Sequence, residues 1–230
     1  MSNKGVLEMF KEHSYIIWGD KCVCGKECFI LQDAFHPWDD VDFTAVIECP
    51  ACNRKIYIDK SKAEKFYNEK ILSYFKDTSG KVIDLGCGGG FLSEFLLKQD
   101  TINKIYSIDM DISCKEDIEK INDTGHKITF INMDIKNLGN QFRNEQIDYI
   151  VSRDVFMFIE DTQKYFDDIT HIVSKGIRQM GWYVSNNKRM KNNLLPNQIA
   201  EELEKRNWDV KLEALDWYES GYFIKADKKI

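Results

Sequence analysis

The 230-residue sequence predicts an α/β fold: a doubly wound, mostly parallel sheet with a small cysteine-bearing module at its N-terminal end. Three observations lead there. From about residue 80 onward, short apolar runs alternate with amphipathic stretches. A glycine run, in "VIDLGCGGGFLSEFL" over residues 82–96, joins the first apolar run to the first amphipathic stretch. Five of the seven cysteines fall together, at Cys22, Cys24, Cys28, Cys49 and Cys52.

Val82, Ile83 and Leu85 read as a buried strand, and Leu92, Phe95 and Leu96 recur at helical spacing. Strands are predicted over 81–85, 104–108, 128–132, 147–151, 180–185 and 222–226. Helices are predicted over 90–98, 112–122, 162–174 and 197–206. Such alternation argues for a parallel sheet covered by helices on both faces. Ahead of it, "SKAEKFYNEKILSYFK" over 61–76 predicts an amphipathic helix, with Ser61 and Glu64 spaced as a capping box. Residues 19–59 hold the clustered cysteines and two strand-like runs, "CFILQDAF" and "FTAVIECP". Residues 1–18 read as a helix. The chain thus divides into 1–60 and 61–230.

Composition narrows the classes. The net charge is −6, which gives no general pull toward nucleic acid. No apolar run approaches the roughly 20 residues of a membrane span, and the N-terminus has no unbroken apolar core. A cytoplasmic protein with no membrane partner is expected. In that setting, clustered cysteines point to metal ligation more than to disulfides.

The glycine turn is decided by spacing. Gly86, Gly88 and Gly90 suit a sharp turn at the carboxyl end of a strand, where doubly wound sheets bind ligands. A dinucleotide fingerprint would need glycine at position 91, which is Phe91. Asp84, two residues before the turn, is ill placed beside a pyrophosphate and suits a ligand with an ammonium group. S-adenosylmethionine is such a ligand. Asp109 ends the next strand at the distance where an acid accepts from ribose hydroxyls. Met110 after it could lie on the adenine face. Asp134, in "INMDIKNL", could accept the adenine amino group with Ile135 beside the ring. Each residue alone has a plainer reading: Asp109 as a helix cap, Asp134 as a turn residue, Cys87 as a small filler in the turn.

Taken in order, "VIDLGCGGG", "YSIDMD", "NMDI" and "DYIVSRDVFMFI" resemble the successive motifs of the class I S-adenosylmethionine-dependent methyltransferases, over about residues 61–230. The resemblance implies a Rossmann-like sheet and a transferase. It implies that Asp84, Gly86, Cys87, Gly88 and Gly90 surround the methionine half of the cofactor. Asp109 would hold the ribose, Met110 and Ile135 would flank the adenine, Asp134 would bind its amino group, and Ser152 would lie near the methionine tail. Where the family often has Pro-Gly before its sixth strand, this chain has "KGIRQMGW".

Zinc takes four soft ligands in a tetrahedron, which two short loops donating a pair each can supply. Cys49 and Cys52 form a C-x-x-C pair followed by Asn53, a residue that tolerates left-handed backbone. Cys22 and Cys24 form a shorter pair followed by Gly25. These four are the expected ligands. Cys28 is a reserve that could instead begin a strand, and His36 a more distant candidate. The alternative is a set of reduced, buried thiols. The expected metal role is structural, because a segment of about 40 residues has little core of its own. A zinc module ahead of such a domain resembles the arrangement in bacterial rRNA guanine methyltransferases. That resemblance implies RNA, while the acids of residues 1–60 argue otherwise.

Methyl transfer is an in-line displacement, and a base is needed only if the acceptor must lose a proton. Asp154 is a candidate base and Arg153 an orienting group. His171 reads as a packed helix residue, so the catalytic residue stays unassigned. Residues 175–200 carry five bases (Lys175, Arg178, Lys188, Arg189 and Lys191) and no acid. They form either a solvated stretch or a face toward an anionic acceptor. Three functions follow: a small-molecule methyltransferase, favoured; an RNA methyltransferase; or a non-catalytic protein that keeps the cofactor fold. Oligomeric state is left open.

Overall fold

The computed structural model describes residues 16–31, 44–49, 51–121, 123–185, 187–215, 218 and 220–229. Two antiparallel hairpins come first. β1 (Ile16–Lys21) pairs with β2 (Glu27–Leu31), and β3 (Thr44–Glu48) pairs with β4 (Lys55–Asp59). Their turns hold the two cysteine pairs. Cys28 lies within β2, opposite Asp20. The helix expected over 1–18 lies outside the described residues up to position 15, and residues 16–18 are strand. His36 also lies outside them. α1 (Lys60–Ser73) starts on the residue after β4. With no connecting loop, Ser61 stands inside the first helical turn rather than ahead of it.

The remaining strands form one sheet: β5 (Gly80–Leu85), β6 (Ile102–Asp109), β7 (Ile128–Asn132), β8 (Ile147–Arg153), β9 (Val173–Trp182), β10 (Trp208–Leu215) and β11 (Gly221–Lys228). Their order is β10-β11-β9-β8-β5-β6-β7. Neighbours from β9 to β7 pair in parallel, and β11 runs antiparallel to both of its neighbours. This is the doubly wound, mostly parallel sheet that the sequence predicts. From β5 the chain moves outward to β6 and β7, then crosses back to β8 on the other side of β5. The carboxyl end of β5 is therefore the point where strand order reverses, which is where such sheets bind ligands.

Helices α2 (Phe91–Leu97), α3 (Cys114–Lys120), α4 (Leu138–Gln141), α5 (Thr162–Ile172) and α6 (Pro196–Lys205) connect the strands. Two cores flank the sheet. Val82 packs with Tyr67 and Ile71 of α1, with Phe75 in the turn after it, and with Leu92 and Leu96 of α2. Ile83 and Leu85 pack with Phe166 and Ile169 of α5 and with Ile199 and Leu203 of α6. Strand alternation thus puts Val82 and Asp84 on the α1–α2 face. Among the described residues no helix is long and apolar enough to cross a membrane.

Besides β1, β4 and α4, which the sequence reading did not anticipate, two strands of the large sheet differ from it. α5 runs directly into β9, which starts at Val173 instead of 180. Its polar residues hid it: Arg178 and Gln179 are buried, the first among Asp77, Asp227 and backbone carbonyls, the second against Tyr222. β10 was not anticipated at all. Asp209, Lys211 and Glu213 point outward from this edge strand, and charges on an exposed edge discourage pairing with another chain.

Candidate functional site

The glycine turn is built tightly on two sides and open on the third. Gly86, Gly88 and Gly90 have φ of 65°, 47° and 86°, conformations that disfavour side chains. A Cβ at Gly86 would meet Val155 Cγ2 at 2.4 Å, and one at Gly90 would meet Ile118 and Ile121 at 2.8 Å. A Cβ at Gly88 would find nothing within 4 Å. The Gly86 and Cys87 N–H groups donate to the Ile108 carbonyl at 2.8 and 3.0 Å, fixing the turn to β6. Cys87 is buried, and burial, with Asp84 and Asp109 nearby, pushes its thiol up. It is a poor nucleophile there.

Asp84 lies one layer behind the turn. It is 1% exposed and accepts a 2.6 Å hydrogen bond from the Ser93 hydroxyl, which also bonds Ser107 at 2.7 Å. Burial raises its carboxyl to about 6, against hydrogen bonds from Ser93 that pull it down. Asp109 instead stands at the mouth. Its Oδ2 accepts the Gly88 N–H at 3.0 Å and its Oδ1 the Asp111 N–H at 2.9 Å. Met110 and Ile112 beside it are exposed, apolar and without cover. Asn132 braces this end of β6 through the carbonyls of Asp109 and Met110. An open, apolar rim beside a carboxylate and a glycine turn fits a phosphate-free nucleoside ligand.

Asp134 and Ile135 stand just past β7. Asp134 accepts the Lys136 N–H at 3.0 Å and pairs with Lys136 Nζ at 2.9 Å, which holds its carboxyl below the usual range. Ile135 is half-buried against the core. Ser152 is buried at the carboxyl end of β8, in register with Leu85 and Gln179. The structure therefore joins the turn and Asp109 by direct bonds, sets Asp84 behind them, and gives Asp134 another partner.

A group only partly legible in the sequence, which offers Arg153 and Asp154 but not their partners, closes the β8 side. The Arg153 guanidinium lies 4.6 Å over the Phe91 ring, at the start of α2. Asp154 has φ 59°, and its carboxylate accepts a hydrogen bond from the Tyr218 hydroxyl. Tyr67 of α1 stacks on Tyr218, centroids 6.0 Å apart. No spacing in the sequence links Tyr67, Asp154 and Tyr218.

The four cysteines of the two knuckles converge. Cys22 and Cys52 sulfurs are 3.5 Å apart, Cys24 and Cys49 sulfurs 3.6 Å, and all four lie within 4.8 Å of one another. Sulfurs bound about 2.3 Å from one tetrahedral zinc sit roughly 3.8 Å apart, so the cluster has the size of a zinc site. Gly25 (φ 87°) and Asn53 (φ 57°) turn the chain after each pair. The Asn53 N–H donates to the Cys49 carbonyl at 2.8 Å. The Ala51 N–H, with that of Cys52, holds the Cys49 thiol near 6, favouring the thiolate that a metal takes.

The basic stretch comes apart. Lys175 pairs with Asp148, Lys191 with Glu160, and Arg178 is 2% exposed between Asp77 and Asp227. Lys188 and Arg189 remain exposed at the surface.

Residues 76–226 match the family described as "Methyltransferase domain". No match was found among curated proteins. Solved structures share the fold at low identity. A chain from the complex between the Haloferax volcanii Trm112 methyltransferase activator and a methyltransferase superposes with a TM-score of 0.60 at 13% identity, over 74% of this chain and 93% of its own. A SAM-dependent methyltransferase from Aquifex aeolicus gives 0.56 at 18%, over 73% and 92%. The [4+2]-cyclase SpnF gives 0.59 at 12%, over 74% and 83%. The last shows that the fold also carries other chemistry, so the family match has to carry the assignment. It spans more than half of the chain. The chain belongs to the methyltransferase-domain family and is an S-adenosylmethionine-dependent methyltransferase.

Proposed function

We propose that this enzyme methylates a small molecule bearing negative charge, with the cofactor lying over the glycine turn. Gly86, Cys87, Gly88 and Gly90 cradle the methionine half, with Ser152 near the tail and Asp84 fixing the turn from behind. Asp109 holds the ribose hydroxyls. Met110 and Ile135 flank the adenine, and Asp134 exchanges its exposed Lys136 partner for the adenine amino group. When bound, S-adenosylmethionine supplies an electrophilic methyl group on a sulfonium. The chain's task is to hold the acceptor in line with it.

One observation carries the choice of a small molecule over RNA: of the five bases in residues 175–200, three are engaged by acids of the fold. Lys188 and Arg189 suffice for one anionic group but not for a phosphate backbone, whose binding grows with the number of phosphates neutralised. Tritium-labelled methyl groups decide it. With a cell extract as acceptor, the label should enter the acid-soluble small-molecule fraction. Label confined to acid-precipitable RNA would overturn the reading.

Cys22, Cys24, Cys49 and Cys52 are proposed to hold one structural zinc. Four protein sulfurs leave no position for water, so the metal would stabilise the hairpins without entering the chemistry.

A further inference from the structure

We propose that the Asp154 carboxylate is the catalytic base of the acceptor pocket, that it receives a protic amine, and that Tyr218 positions it. This rests on the cofactor reading above. Three observations carry it. First, Asp154 is bracketed by the cofactor turn. The residue before it, Arg153, covers Phe91 next to Gly90, and the residue after it, Val155, fills the space beside Gly86. Second, its backbone is held in the left-handed region at φ 59°, with its N–H tied to the Met180 carbonyl at 3.0 Å. Aspartate tolerates this region, and a non-glycine residue held there is uncommon and collects at functional sites. Third, the carboxylate is under-partnered. Tyr218 bonds Oδ2, which also lies 3.8 Å from Arg153 Nε, while Oδ1 is buried with no hydrogen-bond partner among the described residues. The side chain as a whole is 30% exposed.

A buried carboxylate short of donors is a receptor for N–H groups, and an ammonium supplies both donors and charge. Asp154 first takes one proton from the bound ammonium, which leaves a neutral amine whose lone pair becomes the N–C bond as the C–S pair returns to the cofactor sulfur. The methylated ammonium leaves with its remaining protons, and Asp154 passes the proton it took to solvent. Tyr218 is held by Tyr67 on one face and donates to Asp154, so the carboxylate is fixed before the acceptor arrives.

Sinefungin tests this without knowledge of the acceptor, because it carries a primary ammonium where S-adenosylmethionine carries its methyl. Calorimetry on the full chain should show sinefungin binding about tenfold more tightly than S-adenosylhomocysteine. Asp154→Asn, an isosteric change that tolerates left-handed backbone, should abolish that preference and leave S-adenosylhomocysteine affinity unchanged, which also reports correct folding. Tyr218→Phe removes the donor that lowers the carboxyl, leaving Arg153 as the remaining charge beside it. The pH below which the preference disappears should therefore rise. An equal preference in Asp154→Asn, or none in the parent, overturns the proposal. Failure of the parent to bind either ligand overturns the cofactor reading instead.

Discussion

Replacing Asp109 by alanine is the sharpest probe of the cofactor site. In the structure its two carboxylate oxygens each accept a backbone N–H, from Gly88 at 3.0 Å and from Asp111 at 2.9 Å. Both bonds are charge-assisted, and each oxygen keeps a second lone pair for a ribose hydroxyl. Alanine removes the proposed ribose contacts and also frees the N–H of Gly88, where a Cβ would find nothing within 4 Å. Bonds to a charged group contribute about 1.5–3 kcal/mol, which predicts roughly 10- to 150-fold weaker S-adenosylhomocysteine binding. Asparagine can accept through one oxygen only, so Asp109→Asn should fall between. Isothermal calorimetry reads both variants, and thermal melts check that each is folded. Unchanged affinity in Asp109→Ala would refute the ribose assignment. A loss in Asp109→Asn as large as in alanine would refute the two-bond account.

The remaining predictions concern the frame. Elemental analysis should find one zinc per chain, with Cys52→Ser losing it; retention in Cys52→Ser with loss in Cys28→Ser would mean the ligand set is wrong. Arg178→Met should lower stability by about 3 kcal/mol, since it strips a buried guanidinium from Asp77, Asp227 and the Ala226 carbonyl, and melting should drop by roughly 6–12 °C. Asp84 titrates near 6 in the fold against an ordinary 3.8, so the fold binds the extra proton and this group's contribution falls as pH rises from about 3.8 to 6. Asp84→Asn should remove that downward slope from denaturation curves taken across this window, and an unaltered slope would assign it to another group.

The parts of the fold that were legible share one property: their residues obey a local period. β7 over 128–132 matches the sequence reading residue for residue, and α2, α5 and α6 differ from it by two residues or fewer at each end. The parts that were not legible are decided by partners far away in the chain. Arg178 reads as a surface base until Asp77, Asp227 and two carbonyls surround it, and β9 begins seven residues before its expected start for that reason. The knuckles stand between these cases. Cys22, Cys24, Cys49 and Cys52 were legible as a set because each pair sits beside a residue suited to left-handed backbone, and Gly25 and Asn53 adopt it.

The same distinction sorts the acids of the site. Asp84, Asp109, Asp134 and Asp154 all lie at or near the carboxyl edge of the sheet, and by residue type they are equivalent. Their partners separate them. Asp84 faces α2 because strand alternation puts it on the side of Val82, and Ser93 takes its carboxylate. Asp134 is neutralised by Lys136, two residues on. Asp109 spends its charge on two backbone N–H groups, which fixes the turn while leaving lone pairs for a ligand. Among the described residues Asp154 has a buried oxygen without a hydrogen-bond partner, and its other oxygen takes the hydroxyl of Tyr218, 64 positions away, with Arg153 Nε at 3.8 Å. A carboxylate whose bonding is completed within the protein has little left to offer a substrate. One left incomplete at the edge where ligands bind gains most from an incoming N–H. The acceptor chemistry of this enzyme is therefore to be sought at Asp154, the one of the four with an oxygen left without a hydrogen bond among the described residues.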